Sequence, residues 1–153
     1  MFNKILVPID GSEPAEKALN AALDLAEKYG ATIEILNVFS RYRYAAILSN
    51  EYELDSNTFP MWATTYLDEV RGHQEKLLTE ALKKAKDAKP NLTVSTKLVE
   101  GSVTDSIIIE AEKGHFDIIV MGHRGLGGLT KLLLGSISDR VVDHAKCSVL
   151  IVK

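Results

Sequence analysis

The sequence predicts a doubly wound α/β fold, a single domain built on a five-stranded parallel sheet with helices on both faces. Three observations predict it. Short β-branched and apolar runs alternate with segments of helical periodicity along the whole chain, the pattern of a parallel sheet covered on two sides. The runs are continuously apolar, as strands buried on both faces are. The length of 153 residues suits one domain with a sizeable core.

The first strand is expected over Lys4–Ile9, ending at Asp10-Gly11-Ser12. A helix follows at once: Ser12 is placed to cap it and Pro14 falls in its first turn. Ala15, Ala18, Leu19, Ala22, Ala26 and Tyr29 recur at three- and four-residue spacing, and Gly30 supplies a left-handed stop. Thr32–Phe39 reads as the second strand. The second helix carries Leu67, Val70, Gln74, Leu77, Leu78, Ala81 and Ala85 on one face, with Pro90 just beyond it. Leu92–Val99 is the third strand and Ser102–Lys113 the third helix, closed by Gly114. Phe116–Met121, Ser136–Ala145 and Ser148–Val152 complete the alternation as strand, helix and strand.

One stretch breaks the rhythm. Ser40–Thr64 is a connection of about 25 residues, longer than ordinary linkers in compact domains. It is rich in aromatics, with Tyr42, Tyr44, Tyr52, Phe59 and Trp62 inside it and Tyr66 just after. Disordered segments are poor in such residues. The segment therefore either packs on the domain's own flank or serves as a lid or partner surface.

Composition excludes several classes. The net charge of −3 offers no electrostatic attraction for nucleic acid, and no basic stripe with interleaved aromatics appears. The apolar opening run is broken by Pro8 and ended by Asp10, too short for a signal-peptide core. No run approaches the ~18 apolar residues that would span a bilayer. A single cysteine, Cys147, forms no internal disulfide, which points to a reducing compartment and a cytoplasmic protein. His73, His115, His123 and His144 lack metal-ligand spacing, so no metal site is expected. Cys147 opens a strand and reads as a packed thiol rather than a nucleophile.

The chemistry concentrates after the fourth strand, in Met121-Gly122-His123-Arg124-Gly125-Leu126-Gly127-Gly128 through Gly135-Ser136-Ile137-Ser138. Glycines let backbone amides approach an anion, and a helix N-terminus offers unpaired N–H groups and about half a positive charge. Ser136 is placed to cap that helix and to offer its hydroxyl to a phosphate. A Walker A loop does not fit Gly127-Gly128-Leu129-Thr130-Lys131. A dinucleotide fingerprint fails because Thr130 stands where its third glycine belongs. Taken alone, Gly122 and Gly125 are more often turn glycines and Arg124 and Lys131 more often solvated cations, and Asp10 could be no more than a carboxylate favouring a helix start.

The pattern that does fit is Gly-x2-Gly-x9-Gly-Ser, filled by Gly122, Gly125, Gly135 and Ser136. It resembles the ATP-binding motif of the universal stress proteins. Ile5–Ser12, Asp117–Gly122 and His144–Val152 resemble that family as well, so the likeness covers nearly all the chain outside Ser40–Thr64. The resemblance implies strand order 3-2-1-4-5, with Asp10 and Gly122 bordering one crevice. It implies that Asp10 and backbone near Val38 hold adenosine, that Gly122 and Gly125 line ribose and phosphate, and that Gly135, Ser136, Ile137 and Ser138 hold the triphosphate. Pro8, Ile9, Met121, His123 and Arg124 complete the implied nucleotide site. Mg2+ would ride on the phosphates, as this cation usually does. Lys146, Ser148 and Val103 stand where the family often has prolines.

The implied function is an ATP-binding stress-response switch, not an enzyme, with at most slow ATP hydrolysis. A slow ATPase and a nucleotide-free stress scaffold are the alternatives, and a further protein partner is expected of a switch. The strand Ser148–Val152 is apolar and uncharged until Lys153, an edge that invites pairing with a second copy. A homodimer through residues 148–152 is expected, and the resemblance implies the same.

Overall fold

The computed structural model describes residues 1–52, 60–126 and 134–153. The chain order is β1 (Lys4–Pro8), α1 (Glu13–Tyr29), β2 (Thr32–Phe39), α2 (Arg41–Tyr52), α3 (Met61–Ala88), β3 (Val94–Glu100), α4 (Val103–Lys113), β4 (Ile118–Gly122), α5 (Ser136–His144) and β5 (Ser148–Val152). The strands form one sheet in the order β3-β2-β1-β4-β5, every pair parallel. In register, Ile5 stands between Ile33 on β2 and Ile118 on β4.

The period of two along each strand divides the core. Ile5, Val7, Ile33, Ile35, Ile118 and Val120 face α1 and α3, meeting Ala18, Ala22, Ala26, Leu78, Ala81 and Ala85. Leu6, Leu36, Ile119 and Met121 face the other way, onto Ile107 and Ala111 of α4 and Val141 of α5. Both faces of the sheet are thus covered at residues 5–7 of β1 and 118–122 of β4, which is why those stretches carry no polar side chain. Each such buried aliphatic side chain contributes about 1.5–3 kcal/mol relative to exposure.

Helix α1 forms as its caps dictate. Ser12 Oγ accepts from Ala15 N at 3.3 Å, and Gly30 ends the helix at φ 67°. Helix α4 is closed by Gly114, as expected, but without a left-handed glycine. Gly114 stays right-handed at φ −80° and His115 takes the left-handed turn at φ 53°. Gly114 is needed for space, because a Cβ there would lie 2.2 Å from the Phe116 ring.

The stretch expected as a long connection is mostly helical. Residues 53–59, including Phe59, lie outside the described residues. On one side of them Arg41–Tyr52 forms α2, and on the other α3 begins at Met61, with Pro60 at its N-cap. No glycine or proline interrupts residues 41–52, and Tyr44, Ala45 and Leu48 fall on one face that packs against Ala63 and Leu67. The aromatics are placed in pairs: Tyr44 stacks on Phe39 with ring centroids 5.6 Å apart, and Tyr52 meets Trp62 edge-on at 5.3 Å. No helix among the described residues is long and apolar enough to cross a membrane.

Candidate functional site

At the carboxyl ends of β1, β2 and β4 lies a cleft of about 550 Å3. Small-molecule sites usually fall between about 300 and 1,000 Å3. Its origin is topological. The chain leaves β1 for α1 on one face of the sheet and leaves β4 for α5 on the other, so a crevice opens between these neighbouring strands.

Every residue proposed for the site from sequence except His123 lines this cleft. Pro8, Ile9 and Asp10 come from the end of β1, Val38 from β2, and Met121 and Gly122 from β4. Arg124, Gly125 and Gly135 bring in the loop, and Ser136, Ile137 and Ser138 the start of α5. His123 is turned away: its N–H donates to Val152 O at 2.9 Å, and its ring Nδ1 lies 3.3 Å from the same oxygen. It ties the loop to β5. Gly127, Gly128, Leu129, Thr130 and Lys131 lie outside the described residues.

Asp10 joins the two halves of the cleft. Its Oδ1 accepts from Ser12 N at 3.0 Å, at the start of α1, and its Oδ2 accepts from Leu126 N at 2.9 Å, in the loop after β4. The carboxylate therefore does favour a helix start, and it also anchors the glycine loop across the crevice. Two of its four lone-pair positions remain for a ligand.

The glycines answer a closer demand than anion approach. A Cβ on Gly122 would lie 2.7 Å from the Pro14 carbonyl carbon, and one on Gly125 would lie 2.3 Å from Asp10 Oδ2. At Gly135 a Cβ would stand 3.3 Å from both Arg124 Cα and His123 O. In each case the chain approaches itself, and this draws the walls of the cleft together.

The start of α5 lines the cleft. Its N-cap is Gly135, not Ser136, and no side chain among the described residues caps it. Ser136 is the first helical residue and exposed, leaving its hydroxyl at the cleft. Ser138 is buried, and its hydroxyl lies 2.8 Å from His123 O and 2.9 Å from Gly135 O, a donor used within the loop. Gly135 N donates to His123 O at 2.8 Å, and the first helical bond runs from Asp139 N to Gly135 O, also 2.8 Å. Among the described residues, no acceptor meets the amides of Ser136, Ile137 and Ser138. Three N–H groups and the positive end of the helix dipole thus remain for an anion.

Sequence reasoning missed part of the lining. Asn37, Arg43, Tyr44, Ile47 and Gln74 also border the cleft. Asn37 is 2% exposed; its Nδ2 donates to Ile9 O at 2.8 Å, and its Oδ1 is buried without a partner among the described residues. A lone asparagine inside Ile33-Glu34-Ile35-Leu36-Asn37-Val38-Phe39 was the available signal, because a buried amide requires a reason. Elsewhere, burial raises the pKa of the half-buried Cys147 thiol, in keeping with a packed residue. Among the described residues no group of three or more His, Cys, Asp or Glu is placed to hold a metal ion.

The comparisons agree with this architecture. The universal stress protein family model matches residues 1–153. Universal stress protein YxiE of Bacillus subtilis (strain 168) is 35% identical over 156 residues, covering 100% of each chain. Universal stress protein UspA from Lactobacillus plantarum has a similar structure, with TM-score 0.79 at 23% identity over 99% of this chain and 98% of that one. A universal stress protein in complex with cAMP gives TM-score 0.66 at 24% identity, over 99% and 96%. From the full-length family match and the 35% identity to YxiE, the chain belongs to the universal stress protein family.

Proposed function

We propose that this universal stress protein binds ATP in the cleft between β1 and β4 and acts as a nucleotide-dependent regulatory switch. The observation that carries the reading is the uncapped N-terminus of α5, whose three first-turn amides stand at the same cleft as Asp10 and Val38. The polyphosphate would meet those amides and the Ser136 hydroxyl. The adenosine would lie toward Asp10, Val38, Pro8 and Ile9. Gly122, Gly125, Met121 and Arg124 would flank ribose and phosphate. Mg2+ would be carried by the phosphates. The cAMP complex of a fold neighbour supports an adenine nucleotide as the ligand class.

The family is one of stress-response proteins rather than conventional enzymes. Turnover at most slow fits this site, because stabilised phosphates without a group that orients water gain little rate. A switch reading also implies a protein partner that senses occupancy. We further propose a homodimer through β5, the outer strand of the sheet.

Calorimetric titration tests the phosphate assignment. Ser136→Ala removes a hydroxyl donor to a charged group and is expected to weaken ATP by about 1–3 kcal/mol, with little change in melting temperature. Unchanged affinity would remove Ser136 from the site.

A further inference from the structure

The cleft has one cationic neighbour that neither the glycine motif nor the strand ends supply. Arg43 lies in the first turn of α2, and its surroundings differ from those of the nearby arginines. Arg41 Nη2 lies 2.8 Å from Asp68 Oδ1, and its Nε 3.4 Å from Glu100 Oε1. Arg71 is 3.6 Å from Glu75 and 3.9 Å from Glu100. Among the described residues no carboxylate pairs with Arg43, which is exposed at the cleft.

Its location is fixed on two sides. Arg43 lines the large cleft together with Ser136 and Ile137, and it lines a second recess together with Val103 and Ile137. Ile137 is the second residue of α5, so Arg43 borders the cleft at the end where the open amides of that helix lie. The backbone that carries it is held in place. Tyr44 N donates to Ser40 O at 3.1 Å, the Tyr44 ring stacks on Phe39, and Leu48 packs into Ala63 and Leu67 of α3. Arg41, two residues earlier, ties the same turn to α3 and β3 through its two carboxylates.

We propose that Arg43 contacts the phosphate chain of the bound nucleotide, so that α2 sets a preference for a nucleoside triphosphate over a monophosphate. The inference rests on the ATP reading above and extends it to the aromatic-rich segment. An arginine that pairs with no carboxylate among the described residues, beside helix N–H groups that meet no acceptor among them, completes an anion site whose attraction grows with each added phosphate charge. Adenosine, which carries no phosphate, would be indifferent to it.

The test is calorimetric titration of ATP, AMP and adenosine into the wild-type protein, Arg43→Gln and Arg43→Lys. Arg43→Gln is expected to weaken ATP about tenfold or more, AMP less, and adenosine not at all. Arg43→Lys should fall between, because it keeps the charge and loses the fork. The salt dependence of ATP affinity should be shallower in Arg43→Gln. Equal weakening of all three ligands, or of none, would overturn the role of Arg43 while leaving the ATP reading intact. A wild-type protein that binds none of the three would overturn both.

Discussion

Gly125→Ala is expected to abolish most ATP affinity while the chain stays folded. The added Cβ would fall 2.3 Å from Asp10 Oδ2, a separation that no real contact tolerates. The carboxylate has little freedom to retreat, because it also holds Ser12 N at 3.0 Å and Leu126 N at 2.9 Å. Either the Asp10 to Leu126 bond breaks or the loop after β4 lifts away from β1, and both outcomes open the wall of the proposed site. The stability cost is about that of one hydrogen bond to a charged group, 1.5–3 kcal/mol, since the loop lies outside the two core clusters. The binding cost is larger, because a ligand spanning the crevice loses its geometry on both sides. Calorimetry and thermal melting of the same preparation separate the two. Unchanged ATP affinity would show that the Asp10 to Leu126 bridge has no part in binding.

Leu150→Glu is expected to convert a β5-linked dimer into a monomer. β5 is the edge of the sheet beyond β4, and its residues Val149 and Ile151 pack inward on the cluster around Val141 and Met121. Charge at either would damage the fold and the interface together. Leu150 is 37% exposed and occupies the middle of the five-residue strand, nearest a two-fold axis that pairs the strand with its own copy. There a glutamate would meet its mate from the second chain, and like charges directly opposite across paired strands are destabilising. Light scattering on the wild type and the variant reads the result. A monomeric wild type at micromolar concentration would refute the β5 interface.

The strands were legible because a parallel strand is apolar where both its faces are buried, whereas their order came from the resemblance to the universal stress proteins. The apolar residues 5–7 and 118–121 carry that signal. Ser12 and Gly30 marked α1 through cap chemistry that acts within a few residues. Helix α2 was hidden for the opposite reason: Tyr42 and Ile47 stay exposed while Tyr44 and Leu48 are covered, so its apolar residues outline no single stripe. With α2 unseen, Arg43, Tyr44 and Ile47 could not be placed at the cleft. The glycine pattern named residues that line the cleft, but for an incomplete reason. Gly122 is required by the Pro14 backbone and Gly125 by the Asp10 carboxylate, contacts between segments far apart in sequence that spacing alone does not reveal. The same holds for His123, whose neighbours in the motif line the cleft while its N–H and its ring nitrogen meet Val152 O.

The central claim is that the β1–β4 cleft is an ATP site. Mass spectrometry of small molecules released when the purified protein is denatured tests it most directly. The account predicts ATP, at a level that falls in Gly125→Ala. Release of no nucleotide from the wild-type protein, or of cAMP alone, would contradict it.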